Sequence, residues 1–559
     1  MFNHLSSYIY IILFSYLTFL NYFCYGLIFQ KKNKLTKENE NFYEEIFYIS
    51  LKGVIYCSFI ALTLNFFLPL NKFLNTLIFA IIPIALFKNF SLIFSKKFIF
   101  YSFFISCVSF LFLIYSTINR PDAALYHLPY VSFLNEHKII FGLSNIHFRF
   151  GHISIIQYLS AFNYNILFGI NGIVIPISAI SSIFFVSLIN IIISMNQKKK
   201  YNIKFFLYLF FSLFIFYKMN RYSSYGNDGI THLYFFILII IILSLGINKN
   251  FYIIYLISVF LFLNKNTYVL TLAIPLIIFF YKRSLKKNYL KYVFSFPSFL
   301  LIAWLIKNII ISGCIIYPIN FSCLDGLSWT NQTQYIYEAI SGEAYAKGWP
   351  QNSNKMISME EFIQNFNWIT AWSKIHFKFI IQTISPFILT ILFIIFYIRG
   401  NEKKNSFKEN NKIKIILKIL IIFNIIFFLK FPLFRYGSSY LVSLIVILSI
   451  FLITKISLKK TSLVSKIFII LMPLVFFVKQ FDRILSLDQY NYINSPWPNI
   501  FSLTDKIEIK KEIYNKDNLI IYRAKNECGY SKAICTNYNL DKKLQFQKYY
   551  GYSFINLKN

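Results

Sequence analysis

The sequence predicts an all-α polytopic membrane protein, and three observations carry that expectation. Of the 559 residues, 57% are hydrophobic and only 14% are charged, whereas an average soluble domain is roughly a quarter charged. Long apolar runs such as Phe235 to Leu245 and Ile415 to Leu429 recur along the chain. The basic residues sit in short clusters between those runs, the arrangement that fixes the orientation of a polytopic protein. A soluble globular fold is excluded, because so little polar surface cannot cover a chain of this size.

Lys and Arg number 56 against 22 Asp and Glu, a formal charge of +34. On a soluble chain that excess would suggest nucleic acid. Here the placement of the lysines assigns it to topology, and no nucleic-acid partner is expected. The abundance of Ile, Lys, Asn, Phe and Tyr also fits AT-rich coding. The seven Cys form no CxxC pair and no His/Cys cluster at zinc spacing, so a metal-thiolate site is not expected.

About 20 apolar residues cross a bilayer as a helix. The first stretch, Tyr8 to Phe29, is too long for a signal-peptide core and lacks a basic leader and a small-residue cleavage site, so it reads as a span. Spans are expected near 7–29, 46–69, 73–94, 98–118, 171–195, 203–218, 230–247, 251–281 (a broken pair or two short helices), 293–316, 377–398, 414–430, 438–456 and 463–479. That is about 13 or 14 helices. The expected division is 1–97 as N-terminal spans, 98–480 as a membrane core with large loops, and 481–559 as a small mixed extramembrane domain.

The basic clusters then fall on one side, taken as cytoplasmic: Lys31, Lys32, Lys34 and Lys37; Lys96 and Lys97; Lys198 to Lys200; Lys282, Arg283, Lys286, Lys287 and Lys291; Lys403, Lys404, Lys408, Lys412 and Lys414; Lys455, Lys459 and Lys460. This requires 153–169, with its Gln157, Asn163 and Asn165, to lie in the interface or re-enter rather than cross. The opposite side receives 119–152, 219–229, 317–375 and the tail from about residue 480. Five of the seven His (His127, His137, His147, His152, His232) and the aspartates Asp122 and Asp228 occur in or at the first two of these segments. Chemistry is therefore expected on the non-cytoplasmic face.

The densest polar stretch is Ile118 to Tyr130 (INRPDAALYHLPY), continuing to His147, Arg149 and His152. Asp122 with Tyr126 at i+4 and His127 at i+5 lies near one face of a short helix begun by Pro121. Asp122 could equally cap that helix's first turn. The second acid, Asp228, ends the polar turn Asn220 to Gly229, where Asn-Asp-Gly is also ordinary turn chemistry. Two aspartates at the outer ends of spans in successive external loops could act as a general base and as a substrate or metal ligand.

An acid in the first large external loop followed by another in the next resembles the C-fold membrane glycosyltransferases (GT-C), which use polyprenyl-phosphate-linked sugar donors. The resemblance implies Asp122 as the base that activates the acceptor and Asp228 as a second acid organising the site. A divalent cation such as Mg or Mn, if used, would be held by Asp122 and Asp228. The motif PDAALYHL, the later GLSNIHFR and Lys307 to Pro318 (KNIIISGCIIYP) resemble a group of bacterial envelope proteins related to that superfamily. The likeness covers roughly residues 98–440. The chain departs from many members in having a single first-loop Asp and three extra spans before that loop.

Arg435, in the apolar turn Phe431 to Gly437, resembles the late Arg element of the superfamily, and its guanidinium could grip a lipid phosphate or snorkel. Lys265, between two half-length apolar runs, has the same two readings. The loop 317–375 carries Trp329, Trp349, Trp368 and Trp372 among amides. Such residues suit a saccharide, or a membrane-interface belt; Trp329 is read as acceptor-binding, Trp368 and Trp372 as belt. Cys314 with Cys323, and Cys528 with Cys535, could close small disulfide loops in an oxidising compartment. In the tail, Pro496 and Pro498 mark a linker and 518–524 reads as a strand. No internal repeat, P-loop, Rossmann glycine pattern or Ser-His-Asp set occurs.

Together these readings imply a bacterial inner-membrane glycosyltransferase working on the periplasmic face. It would transfer a sugar from a polyprenyl-phosphate donor to an envelope glycan or lipid acceptor, with inversion. Asp122, Asp228 and His127 would be catalytic, and Tyr126, His147, Arg149, His152, Lys265, Trp329 and Arg435 substrate-binding. The alternatives are an O-antigen polymerase or ligase, which leans on external Arg and His, a lipid-linked oligosaccharide transporter, and a non-catalytic envelope protein. A transporter should carry more mid-span charge than Lys88 and Lys307 supply.

Overall fold

The computed structural model describes residues 4–29, 41–80, 82, 84, 89–116, 122–222, 224–245, 247–281, 285, 289–349, 357–404, 411–485, 496–498, 500, 510–514, 519–524, 527–531, 534–540 and 544–557. Of the expected cytoplasmic basic residues, Lys31, Lys32, Lys34, Lys37, Lys282, Arg283, Lys286, Lys287 and Lys408 lie outside them, as do Pro121 and Lys88.

The chain is predominantly helical. The principal helices are α1 (Leu5–Ile28), α2 (Phe42–Leu64), α3 (Lys72–Phe79), α4 (Lys96–Leu113), α5 (Leu128–Glu136), α6 (Ile155–Phe162), α7 (Ile175–Gln197), α8 (Ile203–Tyr217) and α9 (Asp228–Ser244). They continue as α10 (Ile247–Asn264), α11 (Ala273–Tyr281), α12 (Phe296–Ser312), α13 (Gln332–Ala346), α14 (Lys378–Ile398), α15 (Asn411–Lys430), α16 (Phe434–Leu452) and α17 (Leu458–Leu485).

Among the described residues, seven helices are long and apolar enough to cross a membrane, namely α1, α2, α4, α7 and α14 with their preceding turns, α16 and α17. Five shorter apolar helices join them: α8, α9, α10, α11 with its leading 3-10 turn, and α12. The expected count of about 13 or 14 is therefore not reached by length and composition. Two stretches account for the difference. At 73–94 the described helix is only α3, a second short piece being Phe90–Ile93, with 81, 83 and 85–88 outside the description. At 414–430 the helix α15 carries Lys412, Lys414, Lys418 and Lys430.

Helix α7 is the axis of the bundle, buried along nearly its whole length, while α14 and α17 are mostly exposed at the periphery. Serines inside the apolar helices return their hydroxyls to carbonyls one turn back, as Ser58 does to Val54 (2.7 Å), which satisfies a polar group where water is absent. Helices α1 and α2 touch through glycine. A Cβ on Gly53 would lie 1.6 Å from the Tyr22 carbonyl oxygen, and one on Gly26 2.0 Å from that of Ile49, the close approach that small residues permit between membrane helices.

The piece expected to lie in the interface contains α6, which is too short to cross. All eight of its residues are buried, so it is an internal brace packed on α2 and α5 and not a lipid-facing helix. The polar residues that argued against a span are satisfied by protein, Gln157 by His127 and Asn163 by Thr18.

The last helix runs to Leu485, so the expected boundary at 480/481 falls inside it. Between the late helices β1 (Arg399–Lys404) pairs antiparallel with β2 (Lys455–Ile456), and the tail then forms a three-stranded sheet of β3 (Lys510–Tyr514), β4 (Leu519–Arg523) and β5 (Ile534–Thr536), with β4 central, antiparallel to β3 and parallel to β5. A separate hairpin joins β6 (Leu544–Tyr549) to β7 (Tyr552–Leu557). The expected strand at 518–524 is β4. Disulfides link Cys314 to Cys323 and Cys528 to Cys535. The tail is docked on the segments that follow α4 and α12: Ile555 N–H donates to Phe141 O (2.9 Å), Leu557 N–H to Ser328 O (2.9 Å), Gly529 N–H to Ala124 O (2.9 Å) and Thr536 Oγ1 to Ile146 O (3.0 Å).

Candidate functional site: an alternating charge array at a cavity

Asp122 precedes a single π-helical turn, Ala123–His127, that leads into α5 with Pro129 in its first turn. Such widened turns are local departures from the α-helical ladder that recur at functional sites. This one turns His127 inward, where Nδ1 meets Gln157 Nε2 of α6 at 3.0 Å. Tyr126 lies under the guanidinium of Arg149, 5.0 Å from ring centroid to Cζ, and Phe148 is its other ring neighbour at 5.5 Å.

Asp228 opens α9, where a carboxylate suits the helix dipole. The adjoining turn is tied to the break after α10 by reciprocal bonds: Asn227 Nδ2 to Asn264 O (3.1 Å) and Asn264 Nδ2 to Asn227 O (3.0 Å). That clamp delivers Lys265, the residue between the two half-helices, directly to Asp228 Oδ1. Arg435 enters from the first turn of α16.

The five charged groups form one line. Arg149 Nη1 bonds Asp122 Oδ1 (3.3 Å); Asp122 Oδ2 accepts from Arg435 Nη2 (2.6 Å); Arg435 Nε donates to Asp228 Oδ2; Asp228 Oδ1 accepts from Lys265 Nζ. The sequence of signs is plus, minus, plus, minus, plus. Lys265 and Arg435 also share the ring of Tyr436, at 3.6 and 5.7 Å from its centroid. Burial raises the Asp122 carboxyl, but Arg435, His127 and Arg149 outweigh it and hold it below the usual carboxylate value. Burial lowers His127 to about 4 against the pull of Asp122 and Asp228, so its imidazole is neutral at pH 7.

Behind the array, His232 fixes the backbone of Arg435. Its Nε2 faces Arg435 O at 3.0 Å and its Nδ1 faces Tyr268 Oη at 2.9 Å. A carbonyl only accepts, so Nε2 carries the proton and Nδ1 takes the tyrosine hydroxyl's.

Asp122, His127, Asp228, His232 and Arg435 line a cavity of about 650 Å³, whose other walls include Lys218, Lys479, Asp482 and Arg483 and the rings of Phe214, Tyr217, Phe379 and Phe434. The structure thus gathers Asp122, His127, Asp228 and Arg435 at one cavity, with Arg149, Lys265 and Tyr126 bonded to or stacked on the array.

Three of the expected substrate-binding residues neither line the cavity nor form an ion pair of the array. Trp329 is spent on docking the tail: its ring packs on Phe141 and Phe554, and its Nε1 donates to Ile309 O (3.0 Å). His147 stacks on Phe150 and meets the tail's Tyr538 edge-on, and its Nδ1 accepts from the Arg149 backbone N–H at 3.1 Å. His152 packs edge-on against Tyr317. Of the two tryptophans expected in an interface belt, Trp368 is instead fully buried in protein, and both pack on Phe428.

The expected divalent-cation site does not fit this donor set. Both oxygens of Asp122 and of Asp228 already face cations, and among the described residues no group of three or more His, Cys, Asp or Glu could hold a metal ion. Arg435 supplies the positive charge between the two carboxylates.

Residues 8–442 match a family described as a domain of unknown function (DUF8201). The chain belongs to DUF8201. Neither a curated protein nor a solved structure matches it. In this DUF8201 chain all five members of the charge array lie within the matched span, whereas Lys479, Arg483 and the docked tail lie beyond it.

Sequence reasoning missed His232 as the anchor of Arg435, Gln157 as the partner of His127, and Lys218, Lys479 and Arg483 as cavity residues. For Lys218 and Lys479 a signal existed. Each ends an apolar stretch on the side where the charge map leaves lysine scarce.

Proposed function

We propose that this DUF8201 protein is a membrane glycosyltransferase of the C-fold kind. It would transfer a sugar from a polyprenyl-phosphate donor to an envelope glycan or lipid acceptor, outside the cytoplasm of a bacterial cell. The observation carrying the reading is the convergence of Asp122 and Asp228, from different loops, on Arg435 at the wall of one cavity. The two disulfides, both on segments assigned to the non-cytoplasmic side, agree with an oxidising compartment.

In this mechanism the acceptor hydroxyl oxygen attacks the anomeric carbon while its proton passes to the Asp122 carboxylate. The bond from that carbon to the phosphate oxygen breaks with its electron pair on the phosphate, giving inversion. Arg435 supports the charge that develops on the leaving oxygen, since Nε and Nη2 serve the aspartates and Nη1 remains. Asp228 and Lys265 hold Arg435 in place. A carboxylate kept this acidic is a weak base while Arg435 binds it; a phosphate drawing on the same guanidinium raises its basicity on donor binding.

The test is in vitro transfer from a panel of polyprenyl-phosphate sugars. Wild type should transfer, and Asp122→Asn should lose about 10²- to 10⁴-fold. Absence of transfer by wild type across the panel rejects the reading. The excess of cations over carboxylates in the array favours a second one, an O-antigen polymerase or ligase, and its signature is activity that survives Asp122→Asn but not Arg435→Ala.

A further inference from the structure

Arg149 ends the charge array with most of its guanidinium unspent. Its Nη1 serves Asp122 and one face lies over Tyr126, while among the described residues Nε and Nη2 have no partner and the side chain is 36% exposed. Arg149 also acts on a carboxylate that the array does not use, Glu338 of α13.

The placing of Glu338 follows from helix spacing. Helix α13 packs on the turn Phe148–Gly151. Tyr335 pins it to the preceding turn, its Oη meeting Ser144 Oγ at 2.9 Å, and packs its ring on Tyr317 with centroids 4.9 Å apart. Glu338, three residues on, emerges on the same side of the helix. Gln334, one turn earlier, donates to Glu338 Oε1 (2.7 Å), and among the described residues the other carboxylate oxygen has no donor. Burial pushes this carboxyl up to about 7, against the opposing pull of Gln334 and Arg149. Arg149 and Glu338 are near enough to influence one another and yet form no ion pair. A guanidinium and a carboxylate, each with hydrogen-bonding capacity to spare, therefore face each other without closing.

Aromatic groups surround this pair. The tail contributes Tyr538, which is 41% exposed, stands edge-on to Phe148 at 5.1 Å and has Arg149, Glu338, Tyr337 and Tyr345 as its electrostatic neighbours. Tyr337 and Tyr345 are exposed on α13. Tyr317, influenced by Glu338 and Tyr538, keeps a fully buried hydroxyl with no hydrogen-bond partner among the described residues. Such a hydroxyl calls for a partner that the protein does not supply.

We propose that Arg149 and Glu338, with the ring of Tyr538, bind a saccharide through neighbouring hydroxyls of one sugar ring. A hydroxyl both donates and accepts, so adjacent hydroxyls suit an acceptor-only carboxylate beside a donor-only guanidinium, and bonds to charged groups are the stronger kind. A phosphate is repelled by Glu338 and an ammonium by Arg149, which leaves a neutral polyol as the matching chemistry. The ring of Tyr538 offers an apolar face to the C–H surface of the sugar. The inference rests on the glycosyl-transfer reading only in calling this sugar the acceptor, and it narrows that acceptor to a glycan. Arg149 and Glu338 lie within the family-matched span and Tyr538 beyond it, so the tail takes part in recognition.

The experiment uses the full chain in nanodiscs and measures equilibrium binding of tetrasaccharides of glucose, galactose, mannose and N-acetylglucosamine, with glycerol at equal hydroxyl concentration as the control. At least one tetrasaccharide should bind with a Kd of about 1 mM or tighter. Glu338→Gln, which preserves side-chain size, should weaken it by about tenfold or more at unchanged melting temperature. Tyr538→Ala should weaken it by about threefold or more, and Tyr538→Trp should retain it. Arg149 is left unaltered because its loss also disturbs Asp122. Binding of no tetrasaccharide above the glycerol response, or Glu338→Gln binding like wild type, overturns the inference. Glu338-dependent binding without sugar transfer keeps the saccharide site and rejects the transferase reading alone.

Discussion

A cation in the first turn of a helix opposes the backbone dipole, and Arg435 is tenable there because two carboxylates share its guanidinium. Arg435→Gln would leave Asp122 and Asp228 facing one another without it. The expected loss is roughly 2 kcal/mol, below the about 3–5 of a fully buried pair, because the Arg435 side chain is 30% exposed. Arg435→Lys should not rescue it, since a single ammonium cannot span both acids as a planar fork does; thermal unfolding of the purified protein checks both. The pH dependence has a definite sign. His127 titrates near 4 in the fold and near 6.5 when unfolded, so the unfolded chain binds the extra proton between those values. Stability should therefore fall as pH drops from 6.5 towards 4, by up to about 1.4 kcal/mol per pH unit. His127→Asn should flatten that region of a melting-temperature profile. Asp122, held low, adds a further loss only below about pH 4. The candidate acids were readable from the sequence because Asp is scarce and both stand at span ends. Their shared partner was not, because nothing in the spacing of Asp122, Asp228 and Arg435 states that three loops meet.

At the scale of elements, the broken run at 251–281 was legible: polar Asn264, Lys265 and Asn266 interrupt an apolar stretch, and the structure breaks there. The inward burial of α6 was not, because a polar residue such as Gln157 reads the same whether it meets headgroups or, as here, His127 Nδ1 (3.0 Å). Lys307 was visible as a mid-span charge. Its resting place was not: it donates to Leu62 O and Asn65 Oδ1 between the rings of Phe66 and Tyr158, which makes it a tie between α12 and α2. The glycine contact of α1 and α2 gives a direct test. Gly53→Ala should cost about 2 kcal/mol, since an added methyl has no room and the helices must part. Gly342→Ala, at an open position of α13, should gain roughly 0.4–1 kcal/mol by restricting the unfolded chain. Melting temperatures of the two variants should move in opposite directions.

Over the whole molecule, the charge map gave an expected orientation of the spans, but it contained no information on where the tail would dock. Docking joins β-strand edges to loops distant in sequence, a matter of tertiary fit. The tail touches the π-turn of the candidate site through Gly529 N–H to Ala124 O, a bond made from within the Cys528–Cys535 loop. Replacing both cysteines by serine should loosen that contact. Hydrogen exchange at residues 123–128 should then rise while exchange in the buried helix α7 stays unchanged; unchanged protection of the turn would deny the coupling. The docking also bears on biosynthesis. Asn145 donates to the carbonyl of Ile555, a partner 410 positions later. At about 5–20 residues per second of translation, the loop carrying Asp122 waits roughly 20–80 s for the strand that completes its surroundings. Until then Trp329 and Phe141 stand without their cover, so the nascent chain passes through a period in which this surface is open to capture by a membrane-protein chaperone.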